Sequence, residues 1–114
     1  MVRKVEFHKS YFIDFYVKQP KKVQAKIEYV LALIKQVDRV PEKFLKHLTG
    51  TDGIYEIRVE YQSNIFRIFC FFYKNRLVIL LNAFQKKSQK IPKKEIDLAE
   101  RLKKEYLNLK KSIR

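Results

Sequence analysis

At 114 residues the chain can bury one modest hydrophobic core and no second, so a single domain over residues 1–114 is expected. Lys and Arg number 26 against 12 Asp and Glu, a formal net charge of +14 on a chain that is 46% hydrophobic. That balance excludes an unfolded polar chain and points to a polyanionic partner, most often nucleic acid. No stretch approaches the roughly 20 apolar residues of a spanning helix, and the opening MVRKVEFHKS lacks the apolar centre of a secretion signal, so the cytoplasm is the expected compartment.

Val2 to Phe7 alternates as a short strand does, and Ser10 offers an N-cap to a helix beginning at Tyr11. Pro20 ends that segment and suits the first turn of the next. From Lys21 to Val37 the residues Val23, Ile27, Val30, Leu31, Ile34 and Val37 recur at helical spacing, with Lys22, Lys26 and Lys35 on the other side. Asp38 to Asp52 reads as a connection punctuated by Pro41 and Gly50, with a short helical turn through Glu42 to His47. Three strands follow, at about Ile54 to Tyr61, Ile65 to Tyr73 and Arg76 to Phe84, parted by the polar breaks Gln62-Ser63-Asn64 and Lys74-Asn75 of an antiparallel meander. After the connector Ser88-Gln89-Lys90, Pro92 opens a last helix whose apolar stripe is Ile96, Ala99, Leu102, Tyr106, Leu109 and Ile113.

Cys70, the only cysteine, lies within Phe69-Cys70-Phe71-Phe72. An internal disulfide and a cysteine zinc site are therefore excluded, and a buried structural thiol is expected.

The basic residues Arg58, Arg67, Lys86 and Lys87 interrupt or end core-like strands. A two-residue loop at Lys74-Asn75 sets Arg67 opposite Asn82, and one at Ser63-Asn64 sets Arg67 opposite Glu60 and Arg58 opposite Phe69. One surface then carries Glu56, Arg58, Glu60, Arg67, Asn82, Phe84 and Lys86. The other carries Tyr55, Ile57, Val59, Phe66, Ile68, Cys70, Phe72, Leu77, Ile79 and Leu81 as core. Phe71, Tyr73, Val78 and Leu80 make the far end of the polar surface apolar, which the last helix is expected to cover. The remainder is a basic hollow flanked by aromatic rings, suited to phosphates and to stacking on bases. Singly, each of these cations also fits a plain structural role, such as Arg67 paired with Glu60 across the strands.

The blocks Tyr55-Glu56-Ile57-Arg58, Phe66-Arg67-Ile68-Phe69, Leu80-Leu81-Asn82-Ala83-Phe84-Gln85-Lys86-Lys87 and Ile91-Pro92-Lys93-Lys94-Glu95-Ile96-Asp97-Leu98-Ala99 resemble the HigB branch of the RelE/ParE toxins, near the phage-derived Gp49-like proteins. The resemblance implies an α+β RelE-like domain in the order β-α-α-β-β-β-α, acting as the toxin of a type II toxin-antitoxin pair. Relatives of this kind cut ribosome-bound mRNA in the A site, through 2′-hydroxyl attack on the scissile phosphate, with neither a metal nor another cofactor. By the same resemblance Arg67, Lys86 and Lys87 are the catalytic candidates. Arg58, Asn82, Phe84, Gln85 and Lys90 are the RNA-binding ones. The implied partners are a helix-turn-helix antitoxin, mRNA and the ribosome, with operator DNA reached only through the antitoxin complex and no membrane contact. Glu56 stands where some relatives carry a further basic residue, and His8 and His47 lie outside the matched blocks, so a histidine acid/base pair is not expected. Two other functions suit the same fold: a ParE-like gyrase inhibitor, and a basic nucleic-acid-binding module without activity.

Overall fold

The computed structural model describes residues 2–87 and 90–112. Three helices and five strands follow the order β1 (Lys4–Phe7), α1 (Tyr11–Val17), α2 (Lys21–Gln36), β2 (Leu45–His47), β3 (Tyr55–Tyr61), β4 (Asn64–Tyr73), β5 (Leu77–Lys86) and α3 (Lys93–Ser112). The strands form one mixed sheet in the order β1-β5-β4-β3-β2, with β1 parallel to β5 and the remaining neighbours antiparallel.

Both faces of this sheet are buried, which is why its strands read as nearly continuous apolar runs. Helix α2 lays Val23, Ile27, Val30 and Ile34 against Ile57, Val59, Phe66, Ile68, Cys70, Val78 and Leu80. On the other face Ala99, Leu102 and Tyr106 of α3 cover Ile54, Phe69, Phe71, Ile79 and Leu81. The last helix thus covers the far apolar end, as its stripe predicts, although Leu109 stays half exposed and Ile113 lies outside the described residues.

Three expectations need correction. The segment ending at His47 is not a helical turn throughout. The turn is closed by the Phe44 and Leu45 amides on the Pro41 carbonyl, and Leu45 to His47 then add an edge strand beside β3. The first hairpin turns on Gln62-Ser63, with Gln62 at φ 54°, one position earlier than expected. Moving a loop by one position changes the pairing by two residues and so preserves the faces. Arg58 therefore lies opposite Arg67 instead of Phe69, and Glu60 lies opposite Ile65 instead of Arg67.

The second hairpin differs in kind. Tyr73 pairs with Leu77 around a three-residue loop in which Lys74 and Asn75 both hold left-handed backbone, at φ 54° and 70°. The added residue turns Leu77, Ile79 and Leu81 to the α3 side and Val78 and Leu80 to the α2 side, the reverse of the expected phase. A β-bulge then restores it. Cys70 pairs with Leu80 but Ile68 with Ala83, so Leu81 and Asn82 together oppose the single residue Phe69. Beyond the bulge Phe84 and Lys86 lie opposite Arg67 and Ile65, on the α3 side.

Cys70 is fully buried, and that burial pushes its thiol well above the ordinary range. Native protein should leave Cys70 unmodified by an aromatic disulfide reagent at pH 8 until denaturant unfolds it. Because only the unfolded thiol ionises at moderately alkaline pH, its contribution to stability is complete below about pH 8.5 and declines above, by up to about 1.4 kcal/mol per pH unit. Denaturant melts of the parent and Cys70→Val at pH 8 and pH 10 measure this as a steeper alkaline decline in the parent.

Candidate nucleic-acid interface

The register lays out three rows of side chains on the α3 side of the sheet, past the start of that helix. Lys46, Glu56 and Phe69 form one row, Arg58, Arg67 and Phe84 the next, and Glu60, Ile65 and Lys86 the last. Arg58 and Arg67 are direct cross-strand neighbours, an arrangement that is unfavourable unless anions stand close by. Two do. The Arg67 guanidinium donates through Nη1 to Glu56 Oε2, and Arg58 Nη2 lies 3.7 Å from Glu60 Oε1.

The two pairs differ in strength. Arg67 is 6% exposed and Glu56 7%, so each charge has exchanged water for the other. Arg67 Nε is buried without a hydrogen-bond partner among the described residues. Arg58 and Glu60 stand in solvent, where such a contact is worth some tenths of a kcal/mol. Lys46, Glu56, Arg58 and Arg67 line one side of a hollow of about 250 Å³ that Ile91, in the connector before α3, closes from above.

Of the sequence-predicted residues, Arg58 and Arg67 share this hollow, and Lys86 points to the same side of the sheet one row further on. Lys87 is exposed just past the end of β5, and Lys90 is exposed in the connector. Phe84 is half-buried, its ring edge-on to Phe69 at 5.3 Å between centroids, and it packs against the core under α3 without lining the hollow. Two candidates lie away from the hollow. Asn82 is only 2% exposed, and its amide donates to the carbonyl and the Oε1 of Glu95, each at 3.0 Å. It anchors the first turn of α3. Gln85 lies opposite Phe66, on the α2 side, and donates to Asn64 Oδ1 at 3.2 Å.

Lys46 was not anticipated. The alternation Leu45-Lys46-His47 is too short to announce a strand, yet its pairing with Glu56 projects Lys46 into the hollow. His47 contributes to the rim, but its ring meets Tyr55 edge-on at 5.3 Å, and Tyr55 stacks on Phe72 on the α2 side. Tyr106 is packing, as its spacing predicts: its ring meets those of His8, Phe71 and Tyr73, and burial raises its hydroxyl pKa.

The buried pair makes a stability prediction. Arg67→Ala strands the Glu56 carboxylate in the interior, and unfolding free energy should fall by about 3–5 kcal/mol. The double replacement Glu56→Leu/Arg67→Leu should recover most of that loss in denaturant titrations, because no charge is then left unpaired.

The family model for "Phage derived protein Gp49-like (DUF891)" matches residues 14–104, from within α1 to the middle of α3. No curated protein matches the chain by sequence. Among solved structures, the archaeal RelE-RelB complex from Pyrococcus horikoshii OT3 contains a chain that superimposes with a TM-score of 0.54 at 16% identity, over 79% of this chain and 100% of that one. At that identity the likeness is one of fold, and it carries the same α+β arrangement of helices on a mixed sheet. On the family match, the chain belongs to the phage-derived Gp49-like family, and its fold is shared with the RelE-RelB structure.

Proposed function

We propose that this protein is the toxin of a toxin-antitoxin pair and acts as an endoribonuclease on mRNA. The observation that carries this is the row of opposed arginines, Arg58 and Arg67, sharing one hollow with Lys46 and the buried carboxylate of Glu56. Two guanidiniums side by side fit the oxygens of a phosphodiester, which arginine engages bidentately. The fold's own demands do not call for such a pair, since like charges across strands weaken a sheet.

RNA supplies its own nucleophile. In the proposed reaction the Glu56 carboxylate takes the proton of the 2′-hydroxyl, and the 2′-oxygen forms a bond to phosphorus. Arg67 and Arg58 stabilise the charge that accumulates on the phosphorane oxygens. The bond from phosphorus to the 5′-oxygen then breaks, and that oxygen takes a proton from the Lys86 ammonium, leaving a 2′,3′-cyclic phosphate and a 5′-hydroxyl. In this reading base, phosphate holder and acid come from β3, β4 and β5 in sheet order, and an in-line displacement needs its base and acid on opposite sides of the phosphorus. Arriving phosphate competes with Glu56 for the Arg67 guanidinium, which frees the carboxylate as the substrate engages.

The ribosomal A site as the place of action and a helix-turn-helix antitoxin as the partner belong to the same proposal. The solved structure of like fold is a RelE-RelB complex, which supports a protein antitoxin here.

Expression should arrest growth and generate transcripts with new 5′-hydroxyl ends, and chelation of divalent ions should leave cleavage by the purified protein on ribosomes unchanged. Arg58→Ala and the double variant Lys86→Ala/Lys87→Ala should each lower the cleavage rate by 10²-fold or more while melting near the parent temperature. They are preferable to Arg67→Ala, whose loss of activity would be confounded with loss of fold. Arrest accompanied by DNA damage and intact transcripts would replace cleavage by gyrase inhibition.

A further inference from the structure

A larger hollow lies away from the one just described. A groove of about 570 Å³ opens between the tip of the β4–β5 hairpin and the last turns of α3, lined by Tyr73, Lys74, Lys104, Leu107, Asn108, Lys110 and Lys111, with no carboxylate among them. A second hollow of about 440 Å³ adjoins it around the same Tyr73 and Lys74 and adds Lys4 and Arg76, with Glu6 as its single acid. Arg3, also on that rim, is already committed to the carbonyls of Ile34, Val37 and Asp38 at 2.7–3.0 Å. The six remaining cations, Lys4, Lys74, Arg76, Lys104, Lys110 and Lys111, form no ion pair among the described residues. Lys74 and Lys110 lie over the rings of Tyr73 and Tyr106, at 5.4 and 5.2 Å, but no ion pair among the described residues offsets the mutual repulsion of the six, which opposes the folded state.

We infer that this band is a second RNA-backbone contact, separate from the hollow that holds Arg67. Lys104 and Lys111 stand two turns apart on α3, about 10 Å along its axis, with Lys74 facing them across the groove. Between them the half-buried ring of Tyr73 is held edge-on by Tyr106 at 5.3 Å, a fixed aromatic surface beside a file of cations. Cations strung along a groove with a ring between them match a sugar-phosphate strand whose bases are unpaired. Lys74 lies seven positions beyond Arg67, just past the end of β4, about 23 Å along the strand. The band therefore meets a different stretch of RNA from the one in the hollow, either the continuation of the same strand or a neighbouring strand of a folded RNA. The inference shares with the proposed function the premise that RNA is the partner, and its test does not involve cleavage.

The test uses the full chain and a 2′-O-methyl RNA hairpin with a single-stranded tail, which cannot be cut by 2′-hydroxyl attack. Affinity is measured between 50 and 200 mM salt for the parent, for Lys74→Gln/Lys104→Gln/Lys110→Gln, and for Lys21→Gln/Lys22→Gln/Lys26→Gln, which removes the same charge from α2. Loss of three phosphate contacts should make the slope of log affinity on log salt shallower by about 2, so that the salt-induced weakening shrinks roughly 15- to 20-fold, in the band variant alone. Equal slopes for the parent and the band variant, or equal reductions in both variants, would overturn the inference. So would displacement of the hairpin from the band by polyglutamate at matched charge concentration, which would mark the groove as a site for an acidic protein segment. Cleavage by a parent whose band variant binds normally would sink this inference and leave the proposed function standing; the converse result would do the opposite.

Discussion

A carboxylate and a guanidinium buried together between β3 and β4 set the terms for the rest of the molecule. With α2 on one face of the sheet and α3 on the other, any charged residue on a central strand must find its counter-charge inside. Glu56 answers Arg67, and the pair marks where the helix-covered part of the α3 face gives way to the polar part. Removing one partner leaves an uncompensated charge, whereas a ligand oxyanion can substitute for one partner without leaving the other bare. The contact that holds this part of the sheet together is therefore also the one whose loss costs the fold most.

The bulge at Leu81-Asn82 decides what stands beside that pair. Without the extra residue the phase set by the three-residue loop would carry Phe84 and Lys86 to the α2 face and leave the arginines beside a purely apolar strand. With it, Leu81 and Asn82 both face α3, one joining its core and the other fastening its first turn through Glu95. Bulges gather near functional sites because they re-aim the side chains that follow. Here the same irregularity also fixes where the helix begins.

Much of this was legible in the residues, for identifiable reasons. Helix α2 and the α3 stripe announce themselves by 3.6-residue periodicity, and the N-terminal strand by alternation. The face shared by Glu56, Arg58 and Arg67 was legible because their strands alternate charge with apolar bulk. The phase of β5 was not, because Leu77-Val78-Ile79-Leu80-Leu81 is apolar on both faces and offers no alternation to break the tie. The turns hid for a related reason: Gln62, Lys74 and Asn75 hold left-handed backbone with no glycine to signal it. Lys46 stayed hidden because a three-residue edge strand is visible only through its pairing.

The position of β1 carries one more consequence, for the order in which the fold can assemble. The contacts of the hollow are local: β2 reaches β3 and β3 reaches β4 across short loops. Strand β1 emerges from the ribosome before the other strands of this sheet, yet its parallel partner is β5, with Lys4 beside Leu77. Closing a loop of that length is entropically slow, whereas hairpins form in microseconds. During synthesis the rows of the hollow can pair before β1 has a place to dock, so the sheet closes last at its β1 edge.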